Sequence, residues 1–151
     1  MTRRYWITVA VAAHVRRGLV GGFIQVCHGK QGALSRMRPG DGVVCYSPRD
    51  TMESGPALQA FTALGQVLPG EIYQVEMAPL FYPYRRNMTW RSDAGAVSIR
   101  PLLPELSITA GRPSWGQVFR YGMVALPEAD FRLIERAMLD AANARVLHAV
   151  A

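Results

Sequence analysis

The sequence predicts an α+β chain, built as a small mixed β-barrel with peripheral helices and a C-terminal helix. Short β-branched and aromatic segments recur between glycine- and proline-rich loops, and sustained helical periodicity is confined to the C-terminal part. The chain has 151 residues, the size of one domain, and neither a repeat nor a linker divides it. We therefore expect a single domain over residues 1–151. Ligand sites of such barrels lie at the barrel mouth.

The expected strands combine β-branched or aromatic residues with turn signals at their ends. The tripeptide Pro39-Gly40-Asp41 is a strong turn signal and precedes the second strand directly. Trp115 to Gly122 and the aromatic and arginine block from Phe81 to Trp90 are left without a strand assignment. The five predicted strands are Tyr5–Val11, Gly42–Ser47, Leu58–Val67, Ile72–Met77 and Met123–Leu126.

Three helical segments are expected. One or two turns fit between Ala12 and Leu19 and end at Gly21-Gly22, and a short helix from Gly32 to Met37 is stopped by a proline. The C-terminal helix begins at Pro127. Its apolar face carries Phe131, Ile134 and Met138. Residues 142–151 continue this helix or form a tail.

Composition and patterning exclude several classes of protein. Half of the residues are apolar and 19% are charged, which excludes a wholly disordered chain. The apolar runs are too short for a transmembrane helix, and the N-terminal segment has no signal-peptide cleavage pattern. Two cysteines do not make a disulfide framework. We therefore expect a cytoplasmic location and no membrane partner.

The net charge is +6, and sixteen of the seventeen basic residues are arginine. A genome that favours arginine codons explains this composition as well as a phosphate-binding surface does. Planar guanidinium groups suit phosphates and base stacking better than ammonium groups do. The two interpretations stay open at this point, because composition does not say whether the arginines cluster in space.

No motif indicates catalysis or a metal site. The cysteine and histidine residues lack the paired spacing of zinc sites, and His28-Gly29-Lys30 lacks the remaining residues of a phosphate-binding loop. Cys27 and His28 are expected to point in opposite directions along an extended segment, and Cys27 and Cys45 lie among valines, as buried cysteines do. We expect no catalytic residue, no metal and no cofactor.

The aromatic residues fall into two groups. Those inside periodic segments are expected in the core, and those in irregular segments near glycine, proline and arginine are either satellite core or a ligand cage. Arg85 and Arg86 are either solvated charges or phosphate contacts beside a stacking platform. The expected core residues are Trp6, Tyr46, Phe61 and Phe131, and the open group is Phe23, Tyr82, Tyr84 and Trp115.

An ordered series of short motifs covers nearly the whole chain, from Tyr5 to about Met138. The series includes Tyr5-Trp6-Ile7, His14-Val15, Gly21-Gly22-Phe23, Gln25, His28-Gly29-Lys30, Pro39-Gly40-Asp41, Tyr46-Ser47-Pro48, Gln59-Ala60-Phe61-Thr62, Tyr73-Gln74-Val75, Arg85-Arg86, Trp115-Gly116 and Phe119-Arg120. In order and spacing the chain resembles a stand-alone EVE-domain protein of the PUA-like superfamily, which is related to YTH and ASCH domains. The resemblance implies a PUA-like β-barrel.

The resemblance also implies a function, a non-catalytic module that binds RNA or DNA and takes a modified base, expected to be methylated, into an aromatic pocket. No tryptophan lies at the glycine-glycine-aromatic loop, where YTH domains carry one in their cage. The implied base pocket comprises His14, Phe23, Ile24, Gln25, Tyr46, Ser47, Pro48, Tyr82 and Tyr84. The implied phosphate contacts are His28, Lys30, Arg85, Arg86 and Arg120.

Two other function classes remain. ASCH-type relatives include hydrolases of modified nucleosides, and such an enzyme would need a buried lysine or carboxylate that faces the pocket. The candidates are Lys30, which is the sole lysine, and the acidic residues Asp50, Glu53 and Glu76. A protein-interaction module, whose partner covers the aromatic residues, is the third class.

Overall fold

A mixed β-sheet forms the centre of the computed structural model, which describes residues 2–51 and 57–150. Within these residues eight strands surround the core: β1 (Tyr5–Val9), β2 (Phe23–Ile24), β3 (Gly42–Arg49), β4 (Ala57–Val67), β5 (Tyr73–Gln74), β6 (Tyr84–Trp90), β7 (Val97–Ser98) and β8 (Met123–Ala125). The helices are α1 (Ala12–Gly21), α2 (Gln31–Ser35) and α3 (Glu128–Val150), and 3₁₀ turns span Cys27–Gly29, Arg100–Leu102 and Trp115–Tyr121.

The sheet runs in the order β2-β6-β4-β3-β1-β8, with β5 added to β6 and β7 to β4. Strands β1 and β3 are parallel, and α1 lies in the connection between them. The other pairs are antiparallel. The sheet curls into a half-barrel with helices around it, so the α+β barrel-type prediction is confirmed.

The core has residues on both faces of the central strands. Trp6 and Val43 belong to one apolar cluster, whereas their chain neighbours Ile7 and Val44 belong to the other, because successive side chains of a strand point to opposite faces. The predicted core residues Trp6, Phe61 and Phe131 are 2%, 0% and 4% exposed. Helix α3 covers one cluster with Phe131, Ile134 and Met138, as its periodicity predicts.

Asp41 joins the amino ends of the two parallel strands. Its buried carboxylate accepts hydrogen bonds from the indole Nε1 of Trp6 (2.9 Å) and from the backbone N–H groups of Arg4 (3.1 Å) and Arg38 (2.9 Å). The Asp41 carbonyl accepts a bond from Val67 at the end of β4. The Asp41 side chain therefore fixes the start of β1 and the turn before β3, and its backbone carbonyl fixes the end of β4.

Several elements differ from the predictions, and one alternative that the sequence left open is decided. The strand predicted over Ile72–Met77 is reduced to Tyr73–Gln74, and α1 continues to Gly21, with Gly22 in the left-handed conformation (φ 70°) as its C-cap. The unassigned aromatic and arginine block contains β6, a central strand. The helix continues through residues 142–150, and none of the described helices is long and apolar enough to cross a membrane.

The substitution Asp41→Ala removes the acceptor of three donors, of which the Trp6 indole is buried and the two backbone N–H groups are partly buried. Because a hydrogen bond to a charged group contributes about 1.5–3 kcal/mol and an orphaned buried donor costs about 1–3 kcal/mol, we expect the free energy of unfolding to fall by about 3 kcal/mol. Denaturant-induced unfolding measures the change. Asp93→Ala is the control, because Asp93 pairs with Arg91 on the surface. Equal losses in the two variants would contradict the role of Asp41.

Candidate functional site

A cleft of about 920 Å³ opens at the carboxyl ends of the two parallel strands. Parallel strands end at the same edge of a sheet, so the residues that follow β1 and β3 meet there. Helix α1 begins at this edge, and the N–H of Ala13 donates to the carbonyl of Asp50 just beyond β3 (2.9 Å). The N–H of Val9 donates to the carbonyl of Gly122 (2.8 Å), which brings the segment before β8 to the cleft.

Four of the predicted site residues lie together in this cleft. The side chains of His14, Gln25, His28 and Arg120 line it. They come from α1, from the segment after β2 and from the 3₁₀ turn before β8. The other lining residues are Val9, Ala10, Val11, Ala13, Arg17, Val26, Cys27, Gly29, Thr51, Met77, Phe81, Phe119 and Gly122.

One wall of the cleft is a left-handed turn. Cys27, His28 and Gly29 follow one another with φ values of 52°, 60° and 81°. Side chains other than glycine rarely adopt this conformation, which costs about 1–2 kcal/mol per residue. Gly29 is required here, because a Cβ at this position would lie 2.4 Å from Cβ of Pro83. The turn also corrects the expected geometry: Cys27 and His28 are not extended, and both line the cleft.

Gln25 presents an amide group whose orientation is fixed by Arg85. The guanidinium Nε of Arg85 donates to Oε1 of Gln25 (3.0 Å), so the amide nitrogen points away from Arg85. The side-chain partner of this nitrogen within the described part of the chain is the thioether sulfur of Met77, 3.9 Å away. A thioether is a weak acceptor. The buried Gln25 amide therefore keeps donor capacity at the wall of the cleft.

Phe23 supports Arg85 from behind this wall. The guanidinium carbon of Arg85 lies 3.8 Å from the centre of the Phe23 ring, a close cation–π contact. Because β2 pairs with β6, the Phe23 ring lies under Arg85, and its role as a stacking face of the base pocket stays a prediction. Phe23 and Ile24 are buried and border a small cavity of about 20 Å³, which shares Ala10, His14 and Gln25 with the cleft lining.

Three residues of β3 are also absent from the cleft lining. Tyr46 stacks on Phe119 with ring centres 4.3 Å apart, so it supports a lining residue from the core, where the sequence also placed it. Ser47 is fully buried and shares a 2.7 Å hydrogen bond with the hydroxyl of Thr62. Pro48 is half-buried within the strand. Strand β3 continues through Arg49 and the cleft begins beyond its end, so these three residues lie behind the lining and their role in the base pocket stays a prediction.

The predicted residues near β6 divide between core and surface. Tyr84 packs against the apolar cluster that contains Trp6, and Tyr82 is 49% exposed; neither lines the cleft. Arg86 is buried and donates to the carbonyls of Met37 (3.1 Å) and Gly70 (3.4 Å), so its assignment as a phosphate contact is wrong. Lys30 is exposed outside the lining.

The remaining sequence hypotheses concern aromatic and acidic residues. Trp115 packs against the core beneath the Arg100 guanidinium, 5.4 Å from its ring centre. Asp50 pairs with Arg16 at 3.0 Å, and Glu53 lies outside the described residues. No group of three histidine, cysteine or acidic residues in the described ranges is arranged to hold a metal ion.

Sequence reasoning missed the two aromatic residues that do line the cleft, Phe81 and Phe119. Phe81 lies in the aromatic and arginine block, and Phe119 precedes Arg120 in a motif that carries the family resemblance. Both signals were present in the sequence. The sequence did not show, however, that Phe119 borders the cleft whereas Tyr46 packs behind it in the core. Met77, Arg17 and Cys27 were also missed as lining residues.

The cleft is electropositive. Arg17, His28 and Arg120 are exposed on its lining, and Arg85 is held at its wall. None of the described lining residues is acidic. Such a cluster of cations attracts an anionic ligand, and low-dielectric walls strengthen this attraction.

His14 is the lining residue whose pKa is shifted. Its ring Nε2 donates to the carbonyl of Gln25 (3.1 Å), which leaves Nδ1 of the neutral ring as an acceptor. Burial lowers the pKa of His14 below 6.5, and the charges of Arg17 and Arg85 lower it further, against the opposing effect of the hydrogen bond to Gln25. The imidazole is therefore neutral at pH 7.

The sequence matches the family model of the EVE domain over residues 4–137. A UPF0310 protein of Mesorhizobium japonicum is 48% identical over 89% of this chain and 91% of its own length. The UPF0310 protein YdcG of Bacillus subtilis is 38% identical over 91% of this chain and 94% of its own length. The chain belongs to the EVE domain family, so the predicted resemblance is confirmed.

Two solved structures share the fold. The YTH domain of the Zygosaccharomyces rouxii MRB1 protein, solved in complex with N6-methyladenosine RNA, has a TM-score of 0.59 at 14% identity and covers 91% of this chain and 85% of its own. A hypothetical protein from Leishmania major has a TM-score of 0.56 at 11% identity, covering 89% and 94%. These likenesses are consistent with a PUA-like α+β fold.

The depressed pKa of His14 makes stability depend on pH. The unfolded chain binds a proton at His14 near pH 6.5, and the folded chain binds it only at lower pH, so the folded state loses stability as pH falls from about 6.5 through the folded pKa. The variant His14→Gln removes the titrating group. We expect its unfolding free energy to change less than that of the parent between about pH 7.5 and about pH 5. Parallel pH profiles would contradict the assignment.

Proposed function

We propose that this EVE-domain protein binds a nucleic-acid strand and holds one modified base, in our expectation a methylated one, in the cleft. The observation that carries the proposal is the Gln25 amide, whose oxygen is held by Arg85 and whose nitrogen contacts a thioether at 3.9 Å. Bases carry ring nitrogens and carbonyl oxygens at their edges. Such an acceptor would satisfy the Gln25 donor better than sulfur does.

The size and surface of the cleft support a nucleotide as ligand. Its volume of about 920 Å³ lies within the range of small-molecule sites. Phe81 is 39% exposed and supplies an aromatic face, and base–aromatic stacking contributes about 1–3 kcal/mol per base. Phe119 is 6% exposed and stacks on Tyr46, so it adds apolar surface to the wall. Arg17 and Arg120 supply positive charge for the phosphates on either side of a bound base, and His28 is exposed on the same lining.

A methyl group on the base would add apolar contact. Val9, Ala10 and Val11 line the cleft beside Met77, and a methyl group buried against such side chains contributes about 0.8 kcal/mol. The likeness to a YTH domain in complex with N6-methyladenosine RNA supports a nucleic-acid partner in general.

The substitution Gln25→Met tests the central contact. It removes the amide donor but keeps a side chain of similar length, and we expect binding of the preferred oligonucleotide to weaken by about 0.5–1.5 kcal/mol, the contribution of one neutral hydrogen bond. Fluorescence polarisation with single-stranded oligonucleotides that carry 5-methylcytosine, N6-methyladenine or no modification measures the affinities. Preference for the modified base should fall in parallel.

The matched control is Gln59→Met. Arg100 donates to Oε1 of Gln59 (2.6 Å), so an arginine also holds this amide, but Gln59 is absent from the cleft lining. Gln59→Met should bind as the parent does. The assignment of Gln25 is wrong if both variants bind equally well, with melting temperatures confirming that both are folded.

We further propose that binding is not followed by turnover, the other outcome being a hydrolase of modified nucleosides. Burial raises the pKa of the Cys45 thiol to about 11, and Lys30 lies outside the cleft lining. The Cys27 thiol in the cleft contacts the carbonyl of Tyr121 at 3.9 Å, and a carbonyl is no base for activating it. These features favour binding over catalysis.

Incubation with acylated and methylated nucleosides should therefore leave them unchanged, as measured by mass spectrometry. A product that forms with the parent protein and fails to form with Cys27→Ser or Lys30→Ala would establish the hydrolase instead.

A further inference from the structure

A hairpin tip with an unusual leucine stands beside the cleft. The N–H of Phe81 donates to the carbonyl of Ala78 (2.9 Å) and closes a four-residue turn through Pro79 and Leu80. Leu80 occupies the third position with φ 63°, a conformation that a turn of this kind normally gives to glycine. Its side chain is 93% exposed.

The fold gains nothing from a leucine at this position. The left-handed conformation is unfavourable for a bulky side chain, and glycine would adopt it without strain. An exposure of 93% means that Leu80 buries almost no apolar surface in return. Strained backbone that the surrounding structure holds in place is often found at positions that act on a ligand.

The tip is held rigidly. The N–H groups of Met77 and Val75 donate across the hairpin to the carbonyls of Phe81 and Pro83, both at 3.1 Å. At its base the hairpin packs on the left-handed turn, where Pro83 occupies the space that a Cβ of Gly29 would need. The position of Leu80 is therefore fixed relative to the wall of the cleft.

Leu80 projects at the mouth of the proposed base site. Met77 and Phe81, which flank the tip, both line the cleft, and Tyr82 next to them is 49% exposed. The same cleft carries the exposed guanidinium groups of Arg17 and Arg120. An apolar tip beside a cationic cleft matches a polyanion with an apolar interior, which is the chemistry of a double helix.

We propose that Leu80 is a wedge that enters the base stack of double-stranded DNA while one base of that duplex lies in the cleft. The inference rests on the proposed function and specifies double-stranded DNA as the nucleic acid that is bound. Removing a base from a duplex requires unstacking, and an inserted apolar side chain fills the vacated space. A single strand offers bases that are already free to turn, so it needs no wedge.

The experiment compares duplex and single-stranded DNA of one sequence. Each contains 5-methylcytosine or N6-methyladenine, with 2-aminopurine beside it to report unstacking by its fluorescence. The variant Leu80→Asn removes the wedge, and asparagine tolerates the left-handed conformation. Leu133→Gln is the control, because Leu133 is an exposed leucine on α3 that borders a different groove.

We expect Leu80→Asn to bind the duplex about tenfold more weakly or worse, because unstacking one step is worth more than one factor of ten in affinity. Its affinity for the single strand should equal that of the parent, and the rise in 2-aminopurine fluorescence on duplex binding should be lost. Leu133→Gln should behave as the parent does in both arms.

Each of the other possible outcomes contradicts a stated part of the proposal. Equal duplex binding by parent and Leu80→Asn overturns the wedge, and so does an equal loss on duplex and single strand. A parent that binds the modified single strand but not the duplex overturns the wedge and leaves the proposed function standing, whereas a parent that binds neither overturns the wedge and excludes these DNA strands as ligands of the cleft. If the parent self-associates and Leu80→Asn does not, Leu80 serves a protein contact and the wedge is wrong.

Discussion

The parallel pairing of β1 and β3 is the constraint on which the rest of the molecule depends, and a buried carboxylate at Asp41 secures it. Three donors at 2.9–3.1 Å tie this carboxylate to the amino ends of both strands. Two parallel strands that start together also end together, so their carboxyl ends leave one edge of the sheet to be covered by connections. Helix α1, the left-handed turn and the segment before β8 all converge at that edge. The cleft is thus a consequence of the only parallel pair among the described strands.

Several contacts behind the cleft lining hold the lining side chains in place. Phe23 holds the Arg85 guanidinium, and Arg85 in turn fixes the amide of Gln25. Tyr46 stacks on Phe119. Residues of the predicted pocket therefore stand one layer behind the lining, where their packing keeps the lining side chains in one orientation. Such support is what a site of fixed geometry requires.

Most of the strands and helices, and the family, could be predicted from the sequence, whereas fewer of the residues that line the cleft could. Periodicity located β1, β3, β4 and α3, because each has a clear apolar face. Strand β6 escaped because its inward positions include a buried arginine, Arg86, which breaks the apolar alternation. The register shift between Cys45 and Tyr46 in the β3–β4 pair is likewise invisible in the residue types, although shifts of this kind decide which face a side chain occupies. The pairing of distant strands places Phe119 on the cleft lining and Tyr46 behind it, and the local sequence pattern does not show this difference.

Residues with strained backbone lie at two ends of this site, in the left-handed turn and at the hairpin tip. The described residues other than glycine with positive φ are Cys27, His28, Gln59 and Leu80. At Gln59 the fold itself offsets the strain, because Arg100 donates twice to its side chain and the N–H of Ile99 donates to its carbonyl. At Cys27 and His28 the close packing of Gly29 on Pro83 holds the turn. The backbone hydrogen bonds of the hairpin hold the turn of Leu80, but its side chain is 93% exposed, so the leucine itself adds little to the folded chain and is available for the proposed contact at the mouth of the cleft.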